Sequence, residues 1–123
     1  MPSKHERRRH PRINQELPFN VLANGYDLTT TTKNISCLGA YCHLDKYIPP
    51  FTKISIRMAL PLLSRDKKEQ AKVECGGVIV RAEDAVSGGF NVAIFFNNIK
   101  ESQKQKISRY IQQILSLQSV AQV

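Results

Sequence analysis

At 123 residues, with 41% apolar and 23% charged residues, the chain has room for one domain on one hydrophobic core and not for two. No apolar run approaches the roughly 18–20 residues of a membrane-spanning helix. The basic amino terminus is not followed by the apolar segment of a secretory signal, so the expected address is the cytoplasm. Eighteen Lys and Arg against ten Asp and Glu give a net charge of +8, which suits an anionic partner or simply a solvated surface.

Residues 1–17 show neither helical nor alternating periodicity, and they read as a flexible basic arm ahead of the fold. Lys4, Arg7, Arg8, Arg9 and Arg12 stand there against Glu6 alone, about half of the net charge. Arg dominates this cluster, and a guanidinium grips phosphate oxygens bidentately and stacks on flat rings where an ammonium offers only a point charge. Pro11 pushes His10 toward extended geometry, so Arg8 and Arg12 point the same way at a separation of roughly 13 Å. That spacing suits two groups holding different parts of one elongated ligand.

From residue 18 to 97 the pattern is that of short strands. Phe19, Val21 and Ala23 alternate with polar neighbours, Asn24-Gly25 is a favoured hairpin turn, and Leu28, Thr30 and Thr32 continue at period two. The run Thr29–Thr32 fits a half-exposed strand. Ala40, Cys42 and Leu44 form a third inward row, with Tyr41 and His43 outward, and Pro49-Pro50 ends it. Ile54, Ile56, Met58 and Leu60 alternate most cleanly, residues 62–68 read as a polar connection, and residues 71–82 as a long strand. Gly76-Gly77 sits where that strand is expected to change phase, turning Val78 and Val80 inward and Ile79 outward, where it could meet a ligand base. Phe90, Val92, Ile94 and Phe96 make the sixth strand.

The period then changes. Asn98 and Glu101 form a candidate capping pair, and Ile107, Ile111, Ile114 and Leu115 recur at helical spacing, which predicts an amphipathic helix over 98–118 that covers the open end of the strands. The fold class is mainly β, a six-stranded antiparallel barrel with one carboxyl-terminal helix.

Few residues carry interpretable chemistry. Cys37, Cys42 and Cys75 lack C-x-x-C spacing and read as buried thiols, and His5, His10 and His43 have no partner at a catalytic spacing, so neither a metal nor an enzymatic role is indicated. Asn34 and Ser36 lie two apart at the end of the second strand and are expected on one side. The Asn amide offers a donor and an acceptor to a purine edge, the Ser a rotatable hydroxyl. Gly39 gives the following turn access to positive φ and to close backbone approach.

Arg8-x-x-x-Arg12, one hairpin, then Asn34-x-Ser36-x-x-Gly39 resembles the PilZ domain family, whose pattern is R-x-x-x-R before the first strand and D/N-x-S-x-x-G at the second turn. The resemblance covers nearly the whole chain and implies a bacterial receptor for cyclic di-GMP, without a cofactor. Arg8 and Arg12 would bind phosphate oxygens or the guanine O6/N7 edge, and Asn34 and Ser36 the remaining guanine edge. Arg7 and Arg9 would stack on bases or hold a second copy, since the family also takes the ligand as an intercalated pair. Ala93 departs from a position often held by glycine, a change expected to touch packing more than binding. An unidentified downstream protein in motility, biofilm or exopolysaccharide control would receive the signal.

Two other readings stand beside it. A small basic barrel could bind nucleic acid through its arm, although the outward aromatics are chiefly Tyr26, Tyr41 and Phe95, which makes nucleic acid the weaker partner. A PilZ-like adaptor could also work by protein contacts without nucleotide.

Overall fold

The computed structural model describes residues 10–64 and 67–121. Six strands follow in order, β1 (Pro18–Ala23), β2 (Tyr26–Ile35), β3 (Gly39–Leu44), β4 (Lys53–Ser64), β5 (Lys67–Asp84) and β6 (Phe90–Asn98), and then helix α1 (Glu101–Ala121). All neighbours are antiparallel, and the order β1-β2-β3-β6-β5-β4 closes into a ring where β1 meets β4. The predicted alternation fills its interior with Phe19 and Val21 of β1, Ile54 to Leu60 of β4, and Val92, Ile94 and Phe96 of β6. Asn24 and Gly25 have φ of 50° and 83°, the paired positive values that a type I′ turn needs, so the β1–β2 hairpin forms at the predicted dipeptide.

Residues 13–17, expected to be part of the arm, belong to the folded body. Ile13 and Leu17 are buried, and Ile13 exchanges both backbone hydrogen bonds with Ile35 at 3.0 Å. Thr32, the one fully buried threonine of the four, accepts the Leu17 N–H at 3.0 Å on its hydroxyl oxygen and donates to the Gln15 carbonyl at 2.6 Å. Segment 13–17 is thus stitched along β2, and a β-branched polar residue is worth burying there because both of its hydrogen-bonding roles are filled.

Residues 62–64 and 67–68 also differ from expectation, because β4 and β5 continue through them as paired strand, Leu62 opposite Glu69 and Leu63 opposite Lys68. Their polarity reflects a hairpin that has left the ring: β1 pairs with β4 only as far as Met58, and β6 with β5 only from Gly76 onward. The freed strand edges are covered. Pro61 has no N–H to leave unpaired, the Gln113 side chain bonds both Pro61 O and Leu63 N, and Gln103 and Lys106 bond Glu74 N and Lys72 O.

Helix α1 lies against this hairpin through Ile107, Ile111 and a residue the periodicity missed, Tyr110, all buried. Its start corrects the expected cap. Asn98 ends β6 opposite Gly76, and the carbonyl of Lys100 accepts the N–H groups of Gln103 and Lys104 at 3.0 Å.

The glycine pair in β5 does not change the phase of the strand. Val73, Gly77 and Ile79 all face the core, and a Cβ on Gly77 would stand 2.7 Å from Ile56 Cδ1, so glycine occupies an inward position too tight for a side chain. The register with β6 does shift between Gly76 and Val78, where the extra residue lies on β6, but β5 itself changes phase only at the bulge between Ile79 and Arg81. Ile79 is therefore 0% exposed and Val80 49%, the reverse of the expected orientation, and Ile79 cannot reach a ligand on the surface.

Candidate functional site

A bulge in β2 sets the geometry of the motif turn. In β2, Thr32 opposes Cys42 and Asn34 opposes Tyr41, so Lys33 is the extra residue and the side-chain parity flips there. Ile35 consequently turns into the core, and Asn34 turns out beside Tyr41. The chain then makes its turn. The Ser36 N–H donates to Gly39 O at 2.9 Å, and the Ser36 hydroxyl accepts the Leu38 N–H at 3.1 Å.

Asn34 and Gly39 line one cleft of about 450 Å³ together with Arg12, which the Ile13–Ile35 bridge holds beside the turn. Ser36 lies under the turn rather than in the cleft, only 3% exposed, and its two bonds fix the loop that carries its neighbours. Gly39 has no positive φ. It must be glycine because β6 approaches so closely that a Cβ would collide with the carbonyl oxygen of Ile94. Arg7, Arg8 and Arg9 lie outside the described residues.

The far wall comes from the strands that cross behind the turn. Val80 and Arg81 enter at the β5 bulge, and Ala93 and Phe95 from β6. Leu38, Val80 and Phe95 are exposed apolar groups around one opening, a surface for a flat ring, and Arg81 is steadied by a 2.8 Å ion pair with Glu83. Tyr41 and Phe95 carried a signal in the sequence as outward aromatics. Arg81 and Val80 carried none, because their direction depends on the bulge. Ala93 stands in this wall between Tyr41 and Arg81 in register, so its methyl group touches the cleft and not core packing. Tyr26 is remote from it, under the Lys46 ammonium at 4.4 Å.

The remaining titratable groups are structural. Burial pushes the Cys42 thiol up to about 12, partly offset by Lys33, and the Cys75 thiol up to about 11, so both stay protonated at neutral pH. His43 Nε2 contacts Gly88 O at 2.6 Å and secures the β5–β6 turn, and His10 Nδ1 lies 2.9 Å from Cys37 Sγ beneath the motif turn. Among the described residues no group of three or more His, Cys, Asp or Glu could hold a metal ion, and no helix is long and apolar enough to cross a membrane.

Comparison with known proteins bears on this arrangement at the level of sequence and fold. No curated protein matches the chain. Among solved structures it is similar to the Bacillus subtilis inhibitor of motility MotI/DgrA, with a TM-score of 0.74 at 17% identity over 94% of this chain and 57% of that one, so it spans little more than half of that protein. It is similar also to the PilZ domain of YcgR from Escherichia coli, solved with c-di-GMP, with a TM-score of 0.57 at 12% identity over 94% and 98% of the two chains. The PilZ domain family profile matches residues 6–113, a span that takes in the basic segment, the motif turn, the whole ring and most of α1, and the chain therefore belongs to the PilZ domain family.

Proposed function

We propose that this protein is a cyclic di-GMP receptor that acts in the cytoplasm as an adaptor and not as an enzyme. The observation that carries this reading is the meeting of Arg12, Asn34 and Gly39 on one cleft whose rim is apolar. Cyclic di-GMP presents two phosphates and two guanines, and each has a counterpart. Arg12, with Arg8 four positions before it in sequence, takes phosphate oxygens or the guanine O6/N7 edge, the pairing that Arg makes with guanine in DNA. The Asn34 amide matches a purine edge with one donor and one acceptor, while Ser36 holds the turn that aims it. Val80, Leu38 and Phe95 supply the faces on which a base stacks, and Arg81 is the remaining guanidinium on the wall. Arg7 and Arg9 flank the motif and serve a second, intercalated copy of the ligand.

Four or five charge-assisted hydrogen bonds at about 1.5–3 kcal/mol each, less the cost of ordering, suffice for a free energy near −8 kcal/mol, a micromolar constant. Closure of the Arg-rich segment over the ligand changes the surface beside the cleft, and that change is the output passed to a protein partner in motility, biofilm or exopolysaccharide control. Titration calorimetry with cyclic di-GMP, cyclic di-AMP and a short oligonucleotide, on native protein and Arg8→Ala, tests the reading. Cyclic di-GMP alone is expected to bind, with shallow salt dependence, and the variant to lose it. Oligonucleotide binding with a steep salt slope would replace the reading with nucleic-acid recognition.

A further inference from the structure

The charge of the chain is divided unevenly over the fold. β4 and the first half of β5 carry Lys53, Arg57, Lys67, Lys68 and Lys72 against Glu69 and Glu74, and the helix region adds Lys100, Lys104, Lys106 and Arg109 against Glu101. On the remaining described residues the balance reverses: Arg12, Lys33, Lys46 and Arg81 are outnumbered by Glu16, Asp27, Asp45, Glu83 and Asp84. Three of the nine cations on β4, the first half of β5 and the helix region, Arg57, Lys72 and Lys100, meet around one concavity. Arg57 faces Glu74 across the β4–β5 ladder, with Lys72 opposite Ala59 two rungs on, on the same face. These three line both a trough of about 620 Å³, shared with Asn98, Lys100 and Gln103, and a neighbouring one of about 380 Å³ over β1. Neither trough shares a lining residue with the candidate nucleotide cleft.

We propose that this β4–β5–α1 face is a docking surface for an acidic segment of a protein partner. The proposal rests on the adaptor half of the function above and is independent of nucleotide binding. Cations gathered around a concavity repel one another, and the fold does little to neutralise them: the Arg57–Glu74 pair is long, at 3.8 Å, with side chains 63% and 74% exposed. An incoming row of carboxylates relieves that repulsion and displaces a weak pair. A small-molecule pocket would enclose its charged groups, whereas these stand open to solvent. Nucleic acid fits less well, since Glu74 interrupts the basic surface at its centre and no exposed aromatic lines either trough. Neutral donors and acceptors on Ser55, Asn98 and Gln103 suit the mixed polarity of a protein interface.

The test uses full-length ¹⁵N-labelled protein without nucleotide, titrated with poly-L-glutamate, and separately with duplex DNA and phosphatidylglycerol vesicles. Poly-L-glutamate is expected to shift the amides of Arg57, Lys72, Glu74, Asn98 and Lys100 and to leave those of Asn34, Gly39 and Phe95 in place. Combined Arg57→Glu, Lys72→Glu and Lys100→Glu substitution should weaken binding on the order of tenfold or more. The combined Gln substitutions, milder on the fold, should weaken it less and in the same direction. Unchanged binding in both variants, shifts centred on the cleft, or tighter binding of DNA or vesicles at these residues would overturn the proposal. Calorimetry of the Glu variant with cyclic di-GMP keeps the two readings apart: failure of nucleotide to bind variant and native protein alike would sink the receptor reading and leave the docking face untouched.

Discussion

The two halves of β5 make the most instructive comparison in the molecule. Residues 79–84 pair with β6 and belong to the ring, where a bulge throws Val80 and Arg81 onto the cleft. Residues 67–75 pair only with β4, extend past the ring, rest on α1 and carry the exposed Lys67, Lys68 and Lys72. One strand thus supplies a wall to a site shaped by bulges and a glycine, and a rung to an open basic face shaped by plain alternation. The difference teaches that precise aim comes from irregularities, and that a regular ladder yields broad, repeated charge.

Substitutions sharpen that contrast, beginning with the largest effects. Ile79→Ala opens the core behind the bulge and is expected to cost about 2–5 kcal/mol in chemical denaturation, while Val80→Ala, one residue on, leaves stability within about 0.5 kcal/mol. Equal effects would mean that the bulge is misplaced. Arg12→Ala should leave the unfolding midpoint unchanged and weaken cyclic di-GMP by about 1.5–3 kcal/mol in calorimetry, roughly tenfold to more than a hundredfold. Gly39→Val drives a side chain into the Ile94 carbonyl and should lower stability by about 1–3 kcal/mol. Thr32→Val keeps the shape and removes the hydroxyl shared by Leu17 and Gln15, at about 1–3 kcal/mol, and should speed hydrogen exchange at the Leu17 amide ahead of the β4–β5 ladder.

The last effect is silent at neutral pH and is read only in alkali. The folded Cys42 thiol holds its proton up to about 12 against an ordinary 9.0, so its contribution to stability is complete below pH 9.0 and is lost as pH climbs toward 12. A Cys42→Ala variant, compared with the native protein by denaturation across that window, should show a flatter decline.

Much of this fold is legible in the sequence because its hydrophobic rows are strictly alternating and its first turn is Asn-Gly. The row Ile54 to Leu60 and the stripe around Ile107 and Ile111 are where the periods place them. What the sequence hides is parity. The glycine pair does mark a register shift, but one whose extra residue lies on β6, so β5 keeps its phase through Gly77; the bulge that turns β5 falls on Val80-Arg81, two residues that look like any strand. Asn34 and Ser36, two apart, are expected side by side, yet Asn34 lies in β2 and lines the cleft, while Ser36 follows the last strand residue, Ile35, and braces the turn beneath it. The extent of the arm was hidden by a tertiary partner, since nothing local in residues 13–17 announces that Thr32 binds them. Charge segregation was hidden by distance, because Arg57, Lys72 and Lys100 meet only through the ladder and the start of the helix.

The most direct measurement is an amide map of labelled protein during titration with cyclic di-GMP. Shifts at Asn34, Gly39, Tyr41, Arg81 and Phe95, with Arg57, Lys72 and Lys100 silent, are the predicted result. A response centred on those three basic residues, or none at the motif turn, would contradict the assignment of the cleft.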